Sequence, residues 1–168
     1  MKKARIKCDG PKSWDALYAL SKKIKEKTNI AGIGLAAKDF DNTAHQFLNY
    51  LYSNSGEVID PNTNQITFNS KEALETLKFY AKLSEVSQDG PLAYERSQLT
   101  TLFNEEKIAM YINGPWAKGQ HTNKNVEVFN IPKGPSFKQS NTTGSSIMIT
   151  DSIAVFNNTG HEDIAMKI

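Results

Sequence analysis

Three histidines, one cysteine and two tryptophans are the side chains of this 168-residue sequence that most directly suggest chemistry, and their spacing speaks against catalysis for most of them. His45, His121 and His161 lie far apart among polar neighbours, which reads as surface histidine rather than a metal cluster or a positioned base, so no metal site is expected. Cys8 has no base beside it and no second cysteine to pair with, so it is an ordinary thiol in a basic tail. Glu105 and Glu106 are neighbours, whereas acid–base work needs carboxylates opposed across a substrate; they read as a solvated turn. The sequence contains no G-x-G-x-x-G, no G-x-x-x-x-G-K-[ST], no H-E-x-x-H and no G-x-S-x-G. Dinucleotide, nucleotide, zinc-protease and hydrolase readings therefore have no local support, and neither enzyme activity nor a cofactor is expected.

One pattern is harder to reduce to packing. Lys107 to Ile112 alternates apolar side chains as a buried strand does, then runs into Asn113, Gly114, Pro115 and Trp116. A strand end thus presents an indole from a Gly-Pro turn, and the carboxyl ends of strands are where open α/β sheets bind ligands. An indole is a flat, apolar platform on which the C–H face of a sugar ring stacks while its hydroxyls find polar groups nearby. The competing reading is that Trp116 simply covers the core.

Such a platform needs a scaffold, and the rest of the chain supplies one. Ser13 precedes Trp14, Leu17, Leu20, Ser21 and Ile24 at helical spacing, which predicts a helix over residues 13–27. The short β-branched and small-residue run Ile30 to Ala36 reads as a buried strand, and a strand so soon after a helix implies α/β winding. Residues 41–54 form a second helix stopped near Gly56. Val58 to Asp60 and Gln65 to Phe68 flank a Pro-Asn-Thr-Asn turn as a small hairpin. Ser70 opens a long helix expected to end near Ser87, and Tyr94 to Asn104 is a further helix. Beyond the polar stretch from Gly134 to Gly144, strands are expected at 147–149 and 153–156, then a helix from about His161.

Composition is that of a globular chain, with 39% hydrophobic and 23% charged residues. The net charge of +2 is too balanced to imply nucleic acid or a membrane surface. It hides a basic amino end of net +6 over residues 1–27, divided between a solvated tail at 1–10 and the outer face of the first helix. The longest apolar run, the eight residues Ile30 to Ala37, is far short of a membrane span, and no apolar segment of a secretion signal follows Met1.

Several stretches carry a family likeness: Pro11, Lys12, Ser13, Trp14, Asp15, Ala16 and Leu17; FNSKEALETLKFY from Phe68 to Tyr80; LFNEEKIAMYINGPWA from Leu102 to Ala117; and Ile153 to Ala165. The sequence resembles the extracellular solute-binding proteins of bacterial ABC importers, specifically the sugar-binding group that includes maltose-binding protein. The resemblance implies a periplasmic-binding-protein-like (type II) α/β lobe, three layers deep, with helices flanking a mixed sheet. It also implies a truncated chain. Residues 11–131 would be the second, carboxyl-side lobe of a two-lobed protein, and residues 132–168 a crossover segment returning toward a missing first lobe. The family's amino-terminal half lobe, with its signal or lipoprotein segment, would be absent, so the implied location is extracellular, at the cell surface or periplasmic. Apolar strands without their native lobe would favour homo-oligomers paired along unpaired edges.

The same likeness places the site. Trp116 matches the aromatic that stacks on sugar, with Asn113, Gly114 and Pro115 forming its turn. Phe40, Asp41, Asn42, Thr43, His45 and Gln46 occupy a stretch where maltose-binding proteins have an acid and two aromatics, a departure that argues against maltodextrin. Asp39 and Asp41 could hydrogen-bond sugar hydroxyls or cap the helix that follows. Around Gly144 and Ser145 the family brings a backbone turn to the ligand. The expected function is the substrate-binding component of an ABC importer for a sugar or oligosaccharide, partnered by a small-molecule carbohydrate and the permease membrane subunits. The alternative is a binder of the same fold for a polyamine, peptide or metal chelate; an acid-rich cleft would favour the polyamine, and Trp116 favours sugar.

Overall fold

The computed structural model describes residues 10–122, 125–138, 144–150 and 154–167; Cys8 and the rest of the tail before Gly10, and Ile153, lie outside them. Helix α1 (Trp14–Thr28) starts where the Ser13 hydroxyl accepts the Ala16 amide at 3.2 Å and stops at Asn29, which takes the left-handed conformation. Helix α2 spans Asp41–Ser53. Helix α3 (Lys71–Leu83) is capped by the Ser70 hydroxyl and tightens into a 3-10 turn over Ser84–Val86, so its regular part ends earlier than the sequence predicts. Helix α4 (Arg96–Asn104) begins at Arg96 rather than Tyr94, because Pro91 opens a separate 3-10 turn and the side chains of Glu95 and Gln98 form a reciprocal capping box. The hairpin forms as expected: Ile59 opposes Ile66 in an antiparallel bridge around the Pro61 turn. The Asn62 and Thr63 amides donate to Asp60 there and hold its carboxyl below the usual carboxylate range.

The apolar run after α1 divides two hydrophobic clusters. Ile33 and Leu35 pack with Trp14, Leu17, Tyr50, Phe79, Tyr80 and Leu83, where the Trp14 and Phe79 rings stack with centroids 4.4 Å apart. Ala36 instead joins Leu99 of α4 and Ile108. Helices α1 to α3 therefore cover one side of the run and α4 the other, the arrangement that side-chain alternation along an extended segment produces.

Among the described residues the pairings expected of a mixed sheet occur as isolated bridges and do not extend into continuous strands. The run pairs in parallel with its neighbours through single bridges, Ala31 with Ile108, Ile33 with Ser87 and Gly34 with Tyr111. Buried amide side chains take up the hydrogen bonds that would have extended these pairings. Gln88 accepts the Leu35 amide at 3.0 Å and donates back to the Leu35 carbonyl at 2.7 Å. Gln46 accepts from Ala36 at 2.6 Å, donates to the Gly34 carbonyl at 3.2 Å and is itself bonded by the Tyr80 hydroxyl. Burial pushes the Tyr80 phenol above its ordinary range, so it remains a neutral donor at that junction.

Past this core the chain returns beside its own beginning. Ser13 and Lys133 form a parallel bridge, with the Trp14 amide donating to the Lys133 carbonyl at 3.0 Å and the Lys133 amide to the Lys12 carbonyl at 3.1 Å. The stretch after Lys133 is fastened to α2 and α3 through Asn54, a fully buried side chain. Its amide donates to Glu75 at 3.0 Å and to the Glu72 carbonyl at 3.1 Å, while its oxygen accepts the Ser136 amide at 2.8 Å. Ser136 also donates to Glu75 at 2.7 Å, and hydrogen bonds from Asn54 and Ser136 hold the Glu75 carboxyl below its ordinary range. Gly134 is required at this place, since a Cβ there would lie 2.2 Å from the Asn54 side-chain oxygen. Farther on, neither 147–149 nor 154–156 forms a strand among the described residues, and the last helix is the single turn α5 (Glu162–Ala165).

Candidate functional site

Three loops leave the carboxyl ends of the parallel pairings: the one after Ala36, the one after Gln88 and the Asn-Gly-Pro-Trp turn. Backbone bonds join the first two, the amides of Ala37 and Lys38 both donating to the Tyr94 carbonyl, at 3.2 and 3.1 Å. The Asn42 amide adds a bond to the Glu95 carboxylate at 2.9 Å. That carboxylate also accepts the amide and the hydroxyl of Ser97. The next residue, Arg96, places its guanidinium 5.0 Å from the centre of the Trp116 ring, and so ties both loops to the indole.

Trp116 lies on a 3-10 turn over Pro115–Gly119 and is 49% exposed, although it is one of the largest apolar side chains of the protein. Its indole folds back over Gly114; a Cβ at that position would stand 2.1 Å from the ring, so only glycine permits the pose. Asn113 accepts the Gly114 amide at 2.8 Å and donates to the Tyr111 hydroxyl at 3.0 Å and to Thr100 at 3.4 Å. Tyr111 in turn is hydrogen-bonded to His121 Nε2 at 2.8 Å, with the Phe103 ring against both. Beside the platform there is thus a fixed chain of phenol, imidazole, amide and hydroxyl groups.

Other expected residues are placed differently. Asp39 and Asp41 do not cap α2: the cap position is Phe40, which offers no side-chain bond, and Asp41 is the first helical residue. Both carboxylates are exposed and without hydrogen bonds among the described residues, and Phe40 beside them is 54% exposed. His45 and Ser145 stand apart from the tryptophan turn, in an open cleft of about 770 Å³ shared with Tyr52, Glu57, Phe137 and Lys138. The His45 Nδ1 atom is buried there without a partner, so this histidine is not the plain surface residue that its neighbours suggested. Gly144 lies against the Ile131 carbonyl at the start of the segment that lines the cleft. Glu105 is paired with Lys107 at 2.7 Å, as a solvated turn would have it. Among the described residues no group of three metal-ligating side chains exists, and no helix is long and apolar enough to cross a membrane.

The sequence model of the bacterial extracellular solute-binding protein family matches residues 1–168. The chain belongs to that family. This is a family of transport proteins rather than enzymes, and its members are extracellular by description. A curated binding protein of Brucella abortus is 28% identical over 173 residues, a match that covers 99% of this chain and 40% of the relative. The chain therefore spans about 40% of the length of the curated relatives it matches. A solute-binding protein of an ABC transporter from Thermotoga lettingae, solved with α-D-tagatose, is 28% identical with a TM-score of 0.64, covering 71% of this chain and 32% of that one. Maltose-bound MalE3 of T. maritima superposes with a TM-score of 0.73 at 24% identity, over 83% of this chain and 37% of that one. The backbone is thus periplasmic-binding-protein-like.

Sequence reasoning missed Arg96, Tyr111, Thr100 and the role of His121. Tyr111 was legible, because it stands two residues before Asn113 and extended backbone aims such pairs to one side. Arg96 was not, since nothing local joins the start of α4 to a turn twenty residues later.

Proposed function

We propose that this protein is the solute-binding component of an ABC importer and that it captures a sugar or oligosaccharide. The observation that carries the reading is the half-exposed Trp116 indole, held over Gly114 at the carboxyl end of a parallel pairing. A flat aromatic braced in one pose keeps little conformational freedom to lose when a sugar ring stacks on it. Asn113 and Tyr111 offer amide and hydroxyl groups nearby, and Asp39 before α2 and Asp41 at its start offer free acceptors. The sugars seen with related proteins, tagatose in the T. lettingae protein above all, support the class without naming this solute.

In the same reading residues 11–131 are one lobe of a two-lobed, three-layered binding protein, and residues 132–168 carry the chain back toward the other. The whole protein works outside the cytoplasm and hands its solute to permease subunits. Its action is capture by enclosure, without chemistry on the solute.

The two tryptophans make the test internally controlled, because Trp14 is buried in the core while Trp116 is open. In an amide spectrum of labelled protein, a panel of mono- and oligosaccharides at millimolar concentration should move the Trp116 indole signal and leave that of Trp14 in place. The moving signal should vanish in Trp116→Ala. A panel that moves neither signal overturns the sugar reading.

A further inference from the structure

We propose that Arg96 is a specificity-determining residue and that the solute is an acidic saccharide, one bearing a carboxylate such as a uronic acid; this rests on the sugar reading above. Arg96 is one of two arginines in the sequence. It is half-buried, and the contact found for its side chain is the face of Trp116 at 5.0 Å. Among the described residues it has no ion pair and its guanidinium makes no hydrogen bond.

That leaves a half-buried guanidinium without a charged partner among the described residues. Partial removal from water weakens its hydration, and elsewhere in proteins such a group is matched by a carboxylate or phosphate in a two-pronged geometry. The neighbouring carboxylate does not serve it: Glu95 is engaged by the Asn42 amide and by Ser97. The five donors of Arg96 are thus left available over one part of an indole that is otherwise 49% exposed. A pyranose stacked on Trp116 would bring a ring substituent within reach of the fork, and a carboxylate is the substituent whose two oxygens match it.

The other charges of this rim limit the class further. Asp39 is exposed just before α2 and Asp41 at its start, next to the Asn42 that bonds Glu95, so negative charge already stands on this rim. A solute with a single carboxylate and otherwise neutral hydroxyls suits one cationic fork beside two acids, whereas a doubly charged phosphate would be repelled by them.

The test compares matched sugars on the same chain, with the Trp116 indole signal as readout and Trp14 as control. Glucuronate and galacturonate are titrated against glucose and galactose, in wild type, Arg96→Gln and Arg96→Lys. The uronates are expected to bind about five- to tenfold more tightly than their neutral partners, with the advantage shrinking at high salt. Arg96→Gln should bring the ratio to about one, whatever it does to the affinity for both sugars, and Arg96→Lys should keep part of it. The ratio is the decisive quantity, because a purely structural brace of Trp116 would weaken both sugars alike. Equal binding of charged and neutral sugars by the wild type, or a uronate advantage that survives Arg96→Gln, overturns the proposal and leaves the sugar reading intact. If no sugar of either kind moves Trp116, both fall together.

Discussion

Residues 132–138 and the described residues after them, 144–150 and 154–167, are held in opposite ways. The first is bonded on all sides: Lys133 beside Ser13, Gly134 donating to the Ser53 carbonyl at 2.9 Å, Ser136 held by Asn54 and Glu75, and Lys138 donating to Ser55 at 3.0 Å. The second is fastened to α2 by the Ile147 amide donating to Asn49 at 3.2 Å, while Met148 and Phe156 stand 87% and 82% exposed. Both parts carry apolar residues in a pattern that could be buried. What separates them is the supply of partners, since an apolar side chain is stabilised only where a complementary surface exists to receive it.

Substitutions can break or sharpen that contrast. Asn54→Ala should cost the most, about 2–3 kcal/mol in urea unfolding, because it takes the partner from the Ser136 amide and the Glu72 carbonyl and one hydrogen bond from Glu75. A loss below about 0.5 kcal/mol would mean that the returning stretch is not pinned there. Gly134→Ala comes next, at about 1–3 kcal/mol, because the added Cβ must displace the Asn54 side chain.

Glu75→Gln should be milder at neutral pH, about 1 kcal/mol, and its effect should depend on acidity. The folded state holds the Glu75 carboxyl below its ordinary value of 4.5, so the ionised form contributes stability above that value and loses it as pH falls through the folded one. Wild type and Glu75→Gln should therefore converge in stability on going from pH 7 to strong acid, and a gap that stayed constant would remove the role given to the ionised carboxylate. The smallest effect belongs to the exposed part: Phe156→Ser should change stability by less than about 0.5 kcal/mol. Hydrogen exchange should agree, with the Ser136 amide protected and the amides of 154–161 exchanging fast.

Much of the scaffold was legible beforehand. Ser13 and Ser70 mark true helix starts, Asn-Gly-Pro-Trp is the turn it was expected to be, and the Pro61 hairpin forms. The strands were read less well. The run at 30–36 has the composition of a strand, but Gln46 and Gln88 reach it from 10 and 53 residues away and intercept its hydrogen bonds. Segments 147–149 and 154–156 have strand composition too, yet neither pairs as a strand among the described residues. Among the candidate residues, Trp116 and its turn were placed from their own residues, whereas Asp39 and Asp41, read as sugar ligands or caps, do not cap α2, and His45 faces another cleft.

The division follows from the range of the forces involved. The sequence by itself determined the helices, their caps, the tryptophan turn and the family likeness, because a cap bonds an amide three residues on and helical burial repeats over a few residues. Only the tertiary structure decided that Asn54 would clasp Ser136 across 82 residues, that Arg96 would meet Trp116, and that glutamine amides would stand in for a continuing ladder. Those contacts depend on how distant segments are brought within about 3 to 5 Å of one another, and local spacing does not encode that distance.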